Sequence, residues 1–155
     1  MTVTQYILDF IFSAVPAVVF AMIFSTPVRF LPLVALGGAL AHLSRTICIN
    51  EFSIGIIGAS FVGSIIISVM FIFIAPRLRV PRPVFTVASI VPIIPGKYAY
   101  LTLLSVIKMH DPDEDSSALI EAFFENGIIT TSVLLAIGMG IAMPALLFYR
   151  NRPVV

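Results

Sequence analysis

Five long apolar runs decide what this chain can fold into. They cover residues 6–24, 30–49, 53–75, 84–107 and 127–148. Each is close to the ~20 residues that a helix needs to cross roughly 30 Å of hydrocarbon. A spanning strand would need only about 9–11 residues and would alternate apolar with polar positions, whereas these runs are continuous. The chain is 59% hydrophobic and 11% charged over 155 residues. A water-soluble domain of that length could not hide so much apolar surface. The expected fold is all-α: a polytopic integral membrane bundle of about five transmembrane helices, forming a single membrane domain over residues 1–155.

Several function classes drop out on the same grounds. A net charge of +1 offers no basic face for nucleic acid. One cysteine, Cys48, cannot form an internal bridge and reads as a small buried hydrophobe. Asp111, Asp113 and Asp115 have the spacing of calcium-loop ligands. The pattern then requires Gly and Glu where the chain has Ser116 and Ala122, so a solvated acidic loop is expected. Gly138-Met139-Gly140 lies inside an apolar run rather than after a strand, which excludes a nucleotide loop. With no nucleophile–base pair and no metal-ligand set, neither an enzyme nor a cofactor is expected. Met1–Gln5 carries no Lys or Arg, and Asp9 follows soon after, so the first run reads as an anchor rather than a signal peptide.

Charge settles the expected orientation. Five spans place Arg29, Arg77, Arg79, Arg82, Arg150 and Arg152 on one side, without an acidic residue. The other side holds Glu51, Lys108, Asp111, Asp113, Glu114, Asp115, Glu121 and Glu125. Basic loops stay in the cytoplasm, so the C-terminus is expected there and the N-terminus on the periplasmic face of a bacterial inner membrane. Omitting the second run, which contains His42 and Arg45, would blur that separation.

The fourth run is interrupted by Pro92-Ile93-Ile94-Pro95-Gly96-Lys97. Each proline removes a backbone donor, and freed carbonyls at membrane depth are tolerated only beside protein or a wet cavity. Transporters use broken helices to aim backbone dipoles at a solute; a packing kink is the plainer reading. Pro92, Pro95, Gly96, Lys97 and Tyr98 are therefore candidate substrate-binding residues. Arg45 joins them, since an Arg at membrane depth needs a partner or a purpose; alternatively it pairs with another chain or snorkels outward. His42 lies three residues from Arg45, on the same helix face. It reads either as a proton relay together with Asp9, the one acid clearly inside a run, or as a hydrogen-bonded packing residue. Counted this way, the interior has a cationic surplus that a small carboxylate would balance. Gly55, Ala59 and Gly63 form a stripe for close helix packing, with a looser stripe at Ala136, Gly140 and Pro144.

The segments Pro16–Ala21, Pro27-Val28-Arg29, His42-Leu43-Ser44-Arg45, Phe85–Ala88 with Pro92…Pro95-Gly96…Tyr100, and Tyr149–Pro153 together resemble the small membrane subunit of the threonine/serine exporter family. The likeness runs over essentially the whole chain, and Pro-x-x-Pro-Gly within a span is its most specific part. It implies a two-component exporter in which this chain works with a larger partner subunit. Fused members export threonine and serine, and the split type is associated with succinate and related dicarboxylates. Export of small dicarboxylates is thus the first expectation, threonine/serine export the second, and a non-transporting scaffold the third. An odd number of spans also fits half of an inverted pair, so a partner or self-assembly into a homo-oligomer is expected.

Overall fold

The computed structural model describes residues 2–110 and 116–149, the last of these by its backbone alone. The acidic Asp111–Asp115 stretch and the basic Arg150–Pro153 ending fall outside the described residues. Within them every regular element is helical. The helices are α1 (Val3–Ile23), α2 (Leu31–Asn50), α3 (Ile56–Leu78), α4 (Pro83–Ile90), α5 (Gly96–Lys108) and α6 (Ser116–Tyr149). Short 3₁₀ turns cover Val28–Phe30 and Val91–Ile93. Four helices, α1, α2, α3 and α6, are each long and apolar enough to cross a membrane. The bent pair Pro83–Ile93 plus Gly96–Lys108 makes a fifth span if counted as one.

Local chemistry explains most boundaries. Thr2 caps α1, and the Gln5 side chain returns to accept from the Thr2 backbone N–H at 2.8 Å, a capping box. Proline stands in the first turn of α2 and of α4, where its missing N–H has no helical partner to lose. The α3 helix stops at Arg79, which takes the left-handed conformation with φ 53°. The helix that carries the fifth apolar run is longer than the run itself, since α6 begins at Ser116, eleven residues before it. Glu121 and Glu125 lower hydropathy without opposing helix formation. At 34 residues the helix is about 51 Å long, well beyond the hydrocarbon thickness.

The chain divides into two compact units, residues 1–93 with 136–155, and residues 94–135. In the first, α2 is central and packs on α1, α3, α4 and both 3₁₀ turns. It can do so because its buried face is small: Gly37, Gly38, Ala39 and Ala41 lie there beside Val34 and Cys48. A methyl group at Gly37 would meet the Ser89 hydroxyl and the Phe71 ring, and one at Gly38 would collide with Ala17. Phe71, Phe85 and Phe30 fill the space around this contact. Phe71 and Phe85 stack with centroids 5.3 Å apart, and Phe30 meets Phe85 edge-on at 5.2 Å.

The C-terminal part of α6 runs parallel to α3. Gly140 lies against Ser64 and the Phe61 carbonyl, Ser68 donates to the Ile141 carbonyl at 2.8 Å, and Phe73 meets Phe148. That register puts the end of α6 beside the end of α3 that carries Arg77 and Arg79. The second unit consists of α5 and the first part of α6. It forms a groove of about 470 Å³ lined by Thr102, Phe123, Phe124, Gly127, Ile128, Thr131 and Ser132.

Candidate functional site

Antiparallel packing of α1 on α2 sets up the polar cluster. Ala17 on Gly38 fixes the register, and two turns nearer the start of α1 this brings Asp9 alongside His42 and Thr46. The Asp9 carboxylate accepts from the Thr46 hydroxyl at 2.9 Å and lies 3.0 Å from His42 Nδ1. On the other side of the ring, Arg45 Nη2 stands 3.1 Å from His42 Nε2. Arg45 Nη1 donates to the carbonyl of Ile93 at 2.9 Å. One turn toward the helix ends, Tyr6 donates its hydroxyl to Glu51 at 2.5 Å.

These contacts determine the histidine's tautomer. A guanidinium can only donate, so Nε2 facing Arg45 must be the bare acceptor. The ring proton then sits on Nδ1 and is donated to Asp9. In this arrangement the ring stands between the Asp9 carboxylate and the Arg45 guanidinium. The cluster is about three-quarters buried at His42 and Asp9, with side-chain exposures of 21% and 23%.

Arg45 reaches the broken helix from the side. Pro92 sits in the middle of the 3₁₀ turn, and Pro95 (φ −80°, ψ 57°) centres a tight turn in which Gly96 N–H bonds to the Ile94 carbonyl at 2.8 Å. These dihedrals are those of an inverse γ-turn. The break leaves the carbonyl of the buried Ile93 without a helical donor, and Arg45 supplies one. Satisfying such an orphan at membrane depth is what keeps a broken helix tolerable.

The remaining candidates are distributed as follows. Pro92 belongs to the first unit with Arg45, His42 and Asp9, whereas Pro95, Gly96, Lys97 and Tyr98 open the second. Pro95 is buried, Tyr98 half-buried, and Gly96 and Lys97 are exposed. Lys97 thus adds its charge to the N-terminal end of α5, which is already electropositive. Of the expected packing stripe, Ala59 is buried, and a methyl group at Gly63 would come within 2.8 Å of the Ala41 carbonyl. Gly55 is placed differently: it caps α3 from outside the helix, exposed and with open space around its Cα. Two participants carried little signal in the sequence. Thr46 is four residues from His42, a spacing that would have found it, but nothing in the chain marks the Ile93 carbonyl apart from the nearby prolines.

A protein of Haemophilus influenzae, described as an uncharacterized protein, is 37% identical over 147 residues, covering 95% of this chain and 49% of that protein. The chain therefore spans about half the length of this curated relative. No solved structure matches. The family profile described as Threonine/Serine exporter, ThrE, matches residues 9–147, from Asp9 almost to the end of α6. The chain belongs to the threonine/serine exporter family and is a multi-pass membrane protein.

Proposed function

We propose that this chain is one membrane module of a secondary exporter for small carboxylate-bearing solutes. In this reading Arg45 at the helix break is the group that takes the carboxylate. The observation that carries it is the position of Arg45: a cation beside the helix break, with Nη2 3.1 Å from His42 Nε2 and Nη1 donating to the Ile93 carbonyl. A carboxylate is a stronger acceptor than either. Pro92 keeps the backbone open there, and Pro95, Gly96, Lys97 and Tyr98 follow in the chain.

Among such solutes, threonine and serine are favoured by the cluster's own charge. The cationic surplus counted from sequence included Lys97, which is exposed; without it Asp9 and Arg45 leave one anion and one cation, which match a zwitterion. A second reading, succinate and related dicarboxylates, is favoured by the exposed Lys97, a further cation near the break. The relative of twice the length supports a second module of similar size, as a larger partner subunit or another copy of this chain. The expected inner-membrane location and cytoplasmic C-terminus are part of the same proposal.

The test is efflux of labelled threonine, serine and succinate from preloaded cells with and without this chain. Slower efflux of one solute class in cells lacking the chain supports that class. Unchanged efflux of all three refutes the exporter reading. The scaffold alternative predicts that Arg45 and Lys97 variants alter only the abundance of a partner.

A further inference from the structure

We infer that the arginine-bearing end of the first unit is a binding surface for an anionic phospholipid. Arg29, Arg77 and Arg79 hold its phosphate, and the apolar side chains next to them meet its acyl chains. The inference is independent of which solute the protein exports.

Three helix ends carry the charge, and an aromatic cluster brings those ends together. Arg29 belongs to the turn that opens α2, Arg77 and Arg79 to the last turn and cap of α3, and Arg82 to the cap of α4. Phe30, next to Arg29, meets Phe85 edge-on at 5.2 Å, and Phe85 stacks on Phe71 at 5.3 Å. Phe85 is three residues after Arg82, and Phe71 is six before Arg77, about 9 Å along α3. The arginines therefore share one end of the unit. Arg29 lies flat against Phe30, its guanidinium carbon 4.5 Å from the ring centroid, an arrangement that favours a cation.

Acidic side chains do not offset this charge. No Asp or Glu occurs in residues 10–50 or 52–110. Glu51 caps the opposite end of α2, and Asp9 stands beside His42 toward that same end. Among the described residues Arg29, Arg77 and Arg79 enter no ion pair, and all three are exposed. The end of α3 suits a cation, but α2 and α4 begin here, and a helix start is itself electropositive. Neither of them has an acidic residue in its first turn. Arg79 also occupies the left-handed position after α3, with φ 53°, where glycine is the usual residue. A charge is kept there against a steric cost.

The apolar neighbours select a lipid over a soluble phosphate. Val28, directly before Arg29, is 80% exposed, and Phe24 and Leu78 are 51% and 41% exposed. A free anion makes no use of these side chains, whereas an amphiphile uses both parts of the surface. Basic clusters beside membrane spans attract anionic headgroups, and guanidinium groups grip phosphate through paired donors.

Native mass spectrometry of the purified full-length protein tests this. In titrations with phosphatidylglycerol and phosphatidylcholine of the same acyl chains, phosphatidylglycerol should bind at the lower concentration. Arg29→Gln, Arg77→Gln and Arg79→Gly should each weaken its binding by about fivefold and leave phosphatidylcholine unaffected. Arg79→Gly also relieves the left-handed backbone, so a folding defect does not explain its loss. Lys108→Gln, in α5, should bind both lipids as the wild type does. Equal retention of the two lipids, or a preference that survives all three arginine substitutions, would overturn the inference. So would displacement of phosphatidylglycerol by an equal concentration of inorganic phosphate, which would assign the arginines to a free anion.

Discussion

Arg45 satisfies two needs at once, and the needs can be separated by side-chain chemistry. The Ile93 carbonyl requires a donor, whereas a solute carboxylate requires a charge. Arg45→Lys keeps the charge and a long-reaching N–H donor; Arg45→Met loses both. A buried acceptor left without a partner costs about 1–3 kcal/mol. Arg45→Met is therefore expected to unfold at a lower temperature in detergent than Arg45→Lys. Equal midpoints would mean that the Ile93 bond contributes nothing. Among the described residues the Ser60 hydroxyl is buried without a partner, so Ser60→Ala should be neutral or stabilising by about 1 kcal/mol in the same measurement. How far the site could be read from sequence follows from the same contacts. His42 with Arg45 is a three-residue spacing on one helix and was legible. Asp9 with His42 depends on which face of α1 meets α2, and small residues two turns along α1 set that register. Thr46 was overlooked because a membrane threonine ordinarily bonds its own backbone, as Thr102 and Thr130 do here.

Helix against helix, close contact matters more than polarity. Gly140 meets α3 where a methyl group would overlap Ser64 and approach the Phe61 carbonyl to 2.8 Å. Ser68 adds one interhelical hydrogen bond nearby. Bonds of this kind average about 0.6 kcal/mol in membranes, while overpacking costs about 1–3 kcal/mol. Gly140→Leu should therefore destabilise the fold more than Ser68→Ala, as measured by thermal unfolding in detergent; the reverse order would contradict the α3–α6 packing. The spans themselves were legible because lipid selects for composition. The extension of α6 to Ser116 was not, because hydropathy reports the hydrocarbon boundary and not the end of the helix. The broken fourth span was legible from Pro92 and Pro95, each lacking the N–H that an unbroken helix would use. What the prolines could not show was that a side chain from α2 would fill the vacancy at Ile93.

For the whole molecule, the packing of α6 on α3 is compatible with the five-span arrangement expected from charge. Parallel packing of α6 on α3 brings the last turn of α6 to the Arg77–Arg79 end, so an odd number of crossings separates the two chain ends if the bent pair crosses once. Cysteines introduced at Val28 and Arg79 are expected to label only from the cytoplasmic face, and one at Phe52 only from the periplasmic face. Labelling of all three from one face would remove the five-span arrangement. A module of this size with half the length of its relative invites a companion, and co-purification of a larger membrane subunit or of a second copy would identify it.

The account turns on whether the positive charge at Arg45 handles cargo, and Arg45→Gln, which removes the charge, set beside Arg45→Lys, which keeps it, addresses that directly. Efflux of labelled threonine and succinate should be measured in cells holding equal amounts of wild-type, Arg45→Lys or Arg45→Gln protein in the membrane. The predicted result for Arg45→Gln is a loss of at least about tenfold in efflux of the transported solute, in line with losing a charge-assisted hydrogen bond worth about 1.5–3 kcal/mol. Efflux equal to wild type at equal abundance would contradict it, leaving Arg45 as a structural cap alone.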